Sequence, residues 1–140
     1  MGCPDTMDVN DIRKFETLGT RNFPIEYSIA AAIDFHNMIG PERKEARLRY
    51  LKDYWVNKCI EIPKFKLNTA MDKNYSCAIA NFILEGIEPG DIATKLFNDH
   101  GIHCVSIVWE NISGVRIAPH VYTSIYDLNA LVKGIHKIAE

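Results

Sequence analysis

Gly114-Val115-Arg116-Ile117-Ala118-Pro119-His120-Val121-Tyr122 reads as a short alternating strand that ends in a His-x-Tyr turn. From Ser124 the period changes to that of a helix, with Ile125, Leu128, Leu131, Val132, Ile135 and Ile138 on one stripe. Ser124-x-x-Asp127 has the spacing of a capping box and marks the start of that helix. Neighbouring side chains of a strand point to opposite faces, so Val115 and Ile117 share one face and Arg116 and Ala118 the other. If the valine and isoleucine pack beneath helices, Arg116 points from the uncovered face. A planar guanidinium fixed there suits a carboxylate, which it can engage through two parallel hydrogen bonds. The competing expectation is a surface arginine paired with Glu110 or another carboxylate, worth only about 0–1 kcal/mol.

Upstream, Ile102 to Trp109 reads as a further strand, joined to the first around Asn111 to Gly114. Pro89-Gly90-Asp91 introduces a short helix with Ile92, Leu96 and Phe97 inward, closed by Gly101. Ser76 to Leu84 is apolar enough for a buried strand, and Lys64 to Asn68 alternates. Pro41 opens a helix running to about Ile60, with Leu48, Leu51, Trp55 and Cys59 on one stripe. Arg43, Lys44, Glu45, Arg49, Lys52 and Asp53 form its other face, where the mixed signs predict solvent rather than a nucleic-acid patch. An earlier helix carries Pro24 in its first turn, then Ile25, Ile29, Ile33, His36 and Ile39, and stops at Gly40.

The predicted order is ααββαββα: a two-layer α+β fold, its small and mainly antiparallel sheet covered by helices on one face. Residues 1–22 read as an extended lead-in and residues 23–140 as a single small domain. At 140 residues, the chain has room for one such domain and not for two.

The bulk composition excludes several function classes. With 47% hydrophobic and 24% charged residues and a net charge of −2, the chain has no field to attract nucleic acid or an anionic membrane. Its apolar runs, such as Ile29-Ala30-Ala31-Ala32-Ile33, fall far short of the roughly 20 residues that span a bilayer. Met1 to Asn10 lack a basic start and an apolar stretch, so no signal peptide is expected and the cytoplasm is the default location. Cys3, Cys59, Cys77 and Cys104 have no Cys-x-x-Cys spacing and read as reduced thiols. His100-x-x-His103 is broken by Gly101 and lacks a second ligand pair, so no metal site is expected.

The stretch from about Arg13 to Ala139 resembles the C-terminal small domain of the class V aminotransferases, pyridoxal-phosphate enzymes of fold type I. The resemblance rests on features in order: Phe15-Glu16 before Gly19-Thr20, Ala32-Ile33-Asp34-Phe35 with Ile39-Gly40, and Arg47-x-x-x-Leu51. Gly101-Ile102, Val115-Arg116-Ile117 leading to His120-x-Tyr122, and Asp127-Leu128-x-x-Leu131-Val132 complete it. Gly19-Thr20-Arg21-Asn22 and the surroundings of Arg116 are most similar to the isopenicillin-N-epimerase-like branch.

The resemblance implies that Arg116 binds the carboxylate of an amino-acid-like substrate. It also implies that Gly19 and Thr20 reach the cofactor phosphate of the neighbouring subunit of a homodimer, with His120 and Tyr122 supporting the Arg116 turn. A glycine permits close backbone approach and a hydroxyl can donate to phosphate. In an unrelated chain the same residues would be an ordinary turn, with Asn22 or Thr20 capping a helix.

The family holds its cofactor through a lysine that follows a histidine on the large domain, with an aspartate at the pyridine nitrogen. His136-Lys137 is the chain's one His-Lys pair, and it falls in the last predicted helix without an aromatic platform. The lysine-bearing large domain is therefore absent, and the chain alone is expected to be inactive. A cysteine desulfurase of this class would need a loop cysteine in an Arg-x-Gly-x-x-Cys setting, whereas Cys104 reads as a strand residue of the core. The alternative is a free-standing, non-catalytic α+β module that binds a partner through its bare sheet face.

Overall fold

The computed structural model describes residues 8–16 and 22–140. By contact it divides into two units, Met1–Met38 and Ile39–Glu140. The first holds a short 3-10 helix, Ile12–Glu16, and nearly all of α1 (Phe23–Ile39). The sequence suggests only extended chain at Ile12–Glu16; the turn there is organised by Asp11, whose carboxylate accepts from the backbone N–H of Arg13 at 3.0 Å and from its guanidinium at 2.6 Å. In α1 the stripe residues Ile25, Ile29 and Ile33 are exposed.

The second unit contains α2 (Pro41–Cys59), β1 (Phe65–Leu67), β2 (Ala80–Leu84), α3 (Pro89–His100), β3 (Val105–Trp109), β4 (Ile112–Ile117) and α4 (Ile125–Ala139). The order of helices and strands along the chain is the ααββαββα expected. All three pairings of the four-stranded sheet are antiparallel, in the order β1-β2-β4-β3. The chain leaves β2, crosses through α3 to the edge strand β3, and returns by a hairpin that inserts β4 beside β2. Arg116 thus sits on an inner strand.

Helices α2, α3 and α4 cover one face. Trp55 of α2 is fully buried, with its ring edge toward Phe65 at 6.4 Å and Phe82 at 5.9 Å between centroids. Phe65 and Phe82 themselves stack at 5.3 Å. Leu51, Val56, Leu84, Ile92, Leu96, Val115, Leu128 and Ile135 complete the core. A buried aromatic of this kind carries about 3–5 kcal/mol against truncation to alanine.

Three sequence expectations need correction. Lys52, assigned to the solvated face of α2, is 2% exposed. The segment ahead of β2 lies over it: Lys52 Nζ donates to Ser76 Oγ at 3.1 Å, and Arg49 donates to the Ser76 carbonyl. A contact of 3.1 Å with Asp53 Oδ1 neutralises the ammonium without the geometry of a hydrogen bond. The same anchoring holds residues 76–79 out of the ladder, so the buried strand begins at Ala80 rather than Ser76. Phe97, expected inward, is 57% exposed and meets the His103 ring edge-on at 6.3 Å; Ile92 and Leu96 alone carry the inward stripe of α3.

The helix ends follow local chemistry. α3 starts with Pro89 at N1 and closes on Gly101 at φ 67°, where the N–H groups of Gly101 and Ile102 reach Phe97 and Leu96 in a Schellman arrangement. α4 begins with the expected capping box: Asp127 N donates to Ser124 Oγ at 3.2 Å, and Ser124 N donates to Asp127 Oδ2 at 2.9 Å. Lys64 Nζ donates to the Ala139 carbonyl at 2.8 Å, placing a cation at the negative end of α4.

The hydrogen bonds from the Ser124 side chain and backbone hold the Asp127 carboxyl below the usual carboxylate range. Its stabilising contribution is therefore complete above the ordinary aspartate value of about 3.9 and is lost as pH falls through the lower, folded value. Thermal melts between pH 6 and pH 2 are expected to show a falling midpoint at the acid end. Asp127→Asn should lower the midpoint at pH 6 and flatten the acid decline.

Candidate functional site on the open sheet face

Alternation along β4 places Val115 and Ile117 beneath the helices, buried to 0% and 7% exposure, and leaves Arg116 exposed on the other face. Arg116 stands between two in-register partners, Asn81 on β2 and Val105 on β3. The residues sharing its face include Ile83, Ile107, Gly114 and Trp109. Among the described residues, no hydrogen bond or ion pair engages its guanidinium, so the surface pairing with Glu110 is not formed. Glu110 instead adopts φ 48° in the β3–β4 turn.

The neighbouring polar residues form a linked set. Asn68 Nδ2 donates to Asn81 Oδ1 at 2.6 Å and to the Ser113 carbonyl at 2.8 Å, joining the chain just beyond β1 to β2 and β4. The backbone N–H of Asn81 donates to Thr69 Oγ1 at 2.8 Å. Asn68, Thr69, Asn81, Asn111 and Ser113 line one end of an open cleft of about 780 Å³. Arg116 lies beside this lining at Asn81. Period and composition did not point to these asparagines; the β1-β2-β4 strand order brings Asn68, Asn81 and Ser113 together.

The turn after β4 is held by hydrogen bonds that centre on Thr123. His120 N donates to Thr123 Oγ1 at 2.9 Å, Thr123 N returns to the His120 carbonyl at 2.9 Å, and Arg47 of α2 donates to the Thr123 carbonyl at 3.0 Å. The rings of His120 and Tyr122 lie against each other, tilted by 31° with centroids 4.3 Å apart, and Tyr122 is exposed. Arg47 is the support that sequence reasoning did not identify. Gly19 and Thr20 lie outside the described residues.

Two of the thiols, Cys59 and Cys104, are poorly disposed for nucleophilic work. Burial pushes Cys59 up to about 12 and raises Cys104 as well; a thiol so shifted stays protonated at neutral pH. The strand expected from Ile102 begins only at Val105, so Cys104, expected inside it, lies just ahead of β3, although it does pack against the core. Among the described residues, no group of three His, Cys, Asp or Glu side chains converges as a metal site would require, and no helix is long and apolar enough to cross a membrane.

The sequence model of the family Aminotransferase class-V matches residues 6–131. The chain belongs to that family. Among curated relatives, a protein of Halalkalibacterium halodurans named "Probable cysteine desulfurase" is 28% identical over 135 residues, covering 91% of this chain and 32% of that protein. The chain spans about a third of the length of the curated relatives it matches. Among solved structures, the apo cysteine desulfurase of Thermococcus onnurineus superposes with a TM-score of 0.78 at 21% identity, over 96% of this chain and 36% of that one. A Lys→Ala variant of C-DES, with glycine covalently linked to its pyridoxal-phosphate cofactor, gives 0.73 at 17% identity, over 88% of this chain and 31% of that one. These likenesses show the small α+β fold of the fold type I enzymes. None of them singles out the epimerase-like branch.

Enzymes of this family depend on pyridoxal phosphate, so the described lysines can be tested as its attachment point. Lys137 lies on the exposed side of α4 with His136. Lys52, the buried one, is committed to Ser76 and Asp53. Neither fits covalent attachment of the cofactor, and no step through it is assigned to this chain.

The amide link depends on Gly114. A Cβ there would come within 2.2 Å of Asn81 Oδ1 and 2.6 Å of the Phe82 carbonyl oxygen, at φ 152°. Gly114→Ala should destabilise the chain by about 2 kcal/mol or more, measured as a shift of the denaturant midpoint. A change below about 0.5 kcal/mol would show that the amide sits elsewhere.

Proposed function

We propose that the chain is the C-terminal domain of a pyridoxal-phosphate-dependent class V enzyme acting on an amino-acid-like substrate, with Arg116 as the residue that receives the substrate carboxylate. The observation that carries this reading is a cation on an inner strand, exposed on the uncovered face and engaged by no acidic partner among the described residues. Such a side chain is available to a ligand without first breaking an ion pair. Its strand is fixed on both sides by the ladder, so the guanidinium would orient the substrate as well as attract it. The cofactor would be held by a lysine on another part of a longer polypeptide.

In the same reading Gly19 and Thr20 belong to a loop that completes the phosphate site of a partner subunit, which makes the working enzyme a homodimer. Among the reactions of the family, transamination, racemisation or elimination fit this chain better than desulfurisation. Cys104 is a protonated, half-buried thiol, and the β3–β4 hairpin offers no Arg-x-Gly-x-x-Cys loop. The epimerase-like character of the Arg116 and Gly19-Thr20 segments agrees with that preference.

The test uses the full-length, cofactor-loaded protein that contains this chain, assayed by absorbance of the cofactor against a panel of L-amino acids. Two charge-assisted hydrogen bonds at about 1.5–3 kcal/mol each imply that Arg116→Ala lowers kcat/KM by at least about 100-fold, with an unchanged melting temperature. Wild-type turnover in that variant would remove Arg116 from the site. Cys104→Ser should leave turnover within about twofold; complete loss of sulfide release from L-cysteine would instead identify a desulfurase.

A further inference from the structure

Asn81 stands directly across the ladder from Arg116, and the orientation of its amide follows from its neighbours. The Ser113 carbonyl can only accept, so the group Asn68 turns toward it is the NH2. The same NH2 reaches Asn81 at 2.6 Å, which requires Asn81 to present its oxygen there. Asn81 Nδ2 is then left with two N–H donors and, among the described residues, no acceptor, although it is enclosed. An enclosed donor without a partner carries a cost that an incoming acceptor removes. The bare Cα of Gly114 is what allows the amide to lie across β4.

We propose that Asn81 is a second, specificity-determining donor of the Arg116 site, giving one N–H to a ligand carboxylate while the guanidinium holds it from the side. The inference rests on the carboxylate reading of Arg116. Arg116, its in-register neighbour on β4, is exposed, and no hydrogen bond among the described residues anchors its guanidinium, so both side chains would have to turn toward a shared ligand. Two donors on different residues favour a planar, two-oxygen anion over a spherical one. Chloride should therefore be a poor ligand.

The experiment is a titration of the ¹⁵N-labelled 140-residue chain with acetate at constant ionic strength, chloride serving as the comparison anion. The Arg116 Nε–H and Asn81 side-chain NH2 signals should both shift and saturate with one Kd, and chloride should move neither. Asn81→Ala should weaken acetate binding about tenfold, the loss expected for one hydrogen bond to a charged group. Asn68→Ala, which cuts the tie but keeps the donor, should weaken it less. If Arg116 saturates while the Asn81 NH2 stays silent, Asn81 is a strand residue only and the carboxylate reading survives. If Arg116 does not respond to acetate, the carboxylate reading fails and this inference falls with it. The NH2 signal is read in the unmodified chain, so the decision does not depend on either variant folding.

Discussion

The burial of Val115 and Ile117 under the helical layer governs the rest of the molecule's chemistry, because a strand has only two faces. Once those two side chains occupy the core with Trp55, Phe82 and Leu84, the residue between them has no freedom to choose its side. A one-residue slip of β4 would put a guanidinium against Trp55 and two aliphatic chains in water. The apolar transfer cost alone, at about 1.5–3 kcal/mol for each aliphatic side chain, makes that register inaccessible. Hydrophobic packing on one face thus fixes a charged group on the other without any contact to the charge itself.

That logic explains why the placement of Arg116 on the open face could be read from the sequence. Period-two alternation, the Ser124–Asp127 spacing and the glycine after His100 are local signals, and each produced the element it announces. The failures are of another kind. Lys52 looked solvent-bound because helical periodicity knows nothing of the segment 70–79, which folds back and offers Ser76 to the ammonium. The same long-range anchoring shortened β2, and no pattern within residues 76–79 records it. Phe97 lies next to Leu96 on the helix, but its side chain points largely to solvent. It covers the ring of His103 instead.

The site shows the same division. Arg116 was visible as a lone cation on an alternating strand. The Asn68–Asn81–Ser113 link was not, because its members are 13 and 45 residues apart in the chain and meet only through the β1-β2-β4 order. Gly114 likewise resembled a turn residue. Its role is steric, admitting a side chain from β2 across the face of β4.

The β3–β4 hairpin carries the sharpest argument about chemistry. Trp109 pairs with Ile112, so the turn between the strands consists of Glu110 and Asn111 alone. Every residue from Val105 to Trp109 has a partner on β4, and β3 begins one residue after Cys104. A desulfurase reading would place a nucleophilic cysteine on a mobile loop ahead of Arg116. Here that stretch is consumed by paired strands, and the thiol at its start packs against the core with its proton held by burial. The ladder that holds Arg116 on the open face is the same one that follows directly on Cys104. Relatives with a desulfurase's name share this fold, and in this chain the segment between Cys104 and Arg116 is occupied by the paired strands β3 and β4.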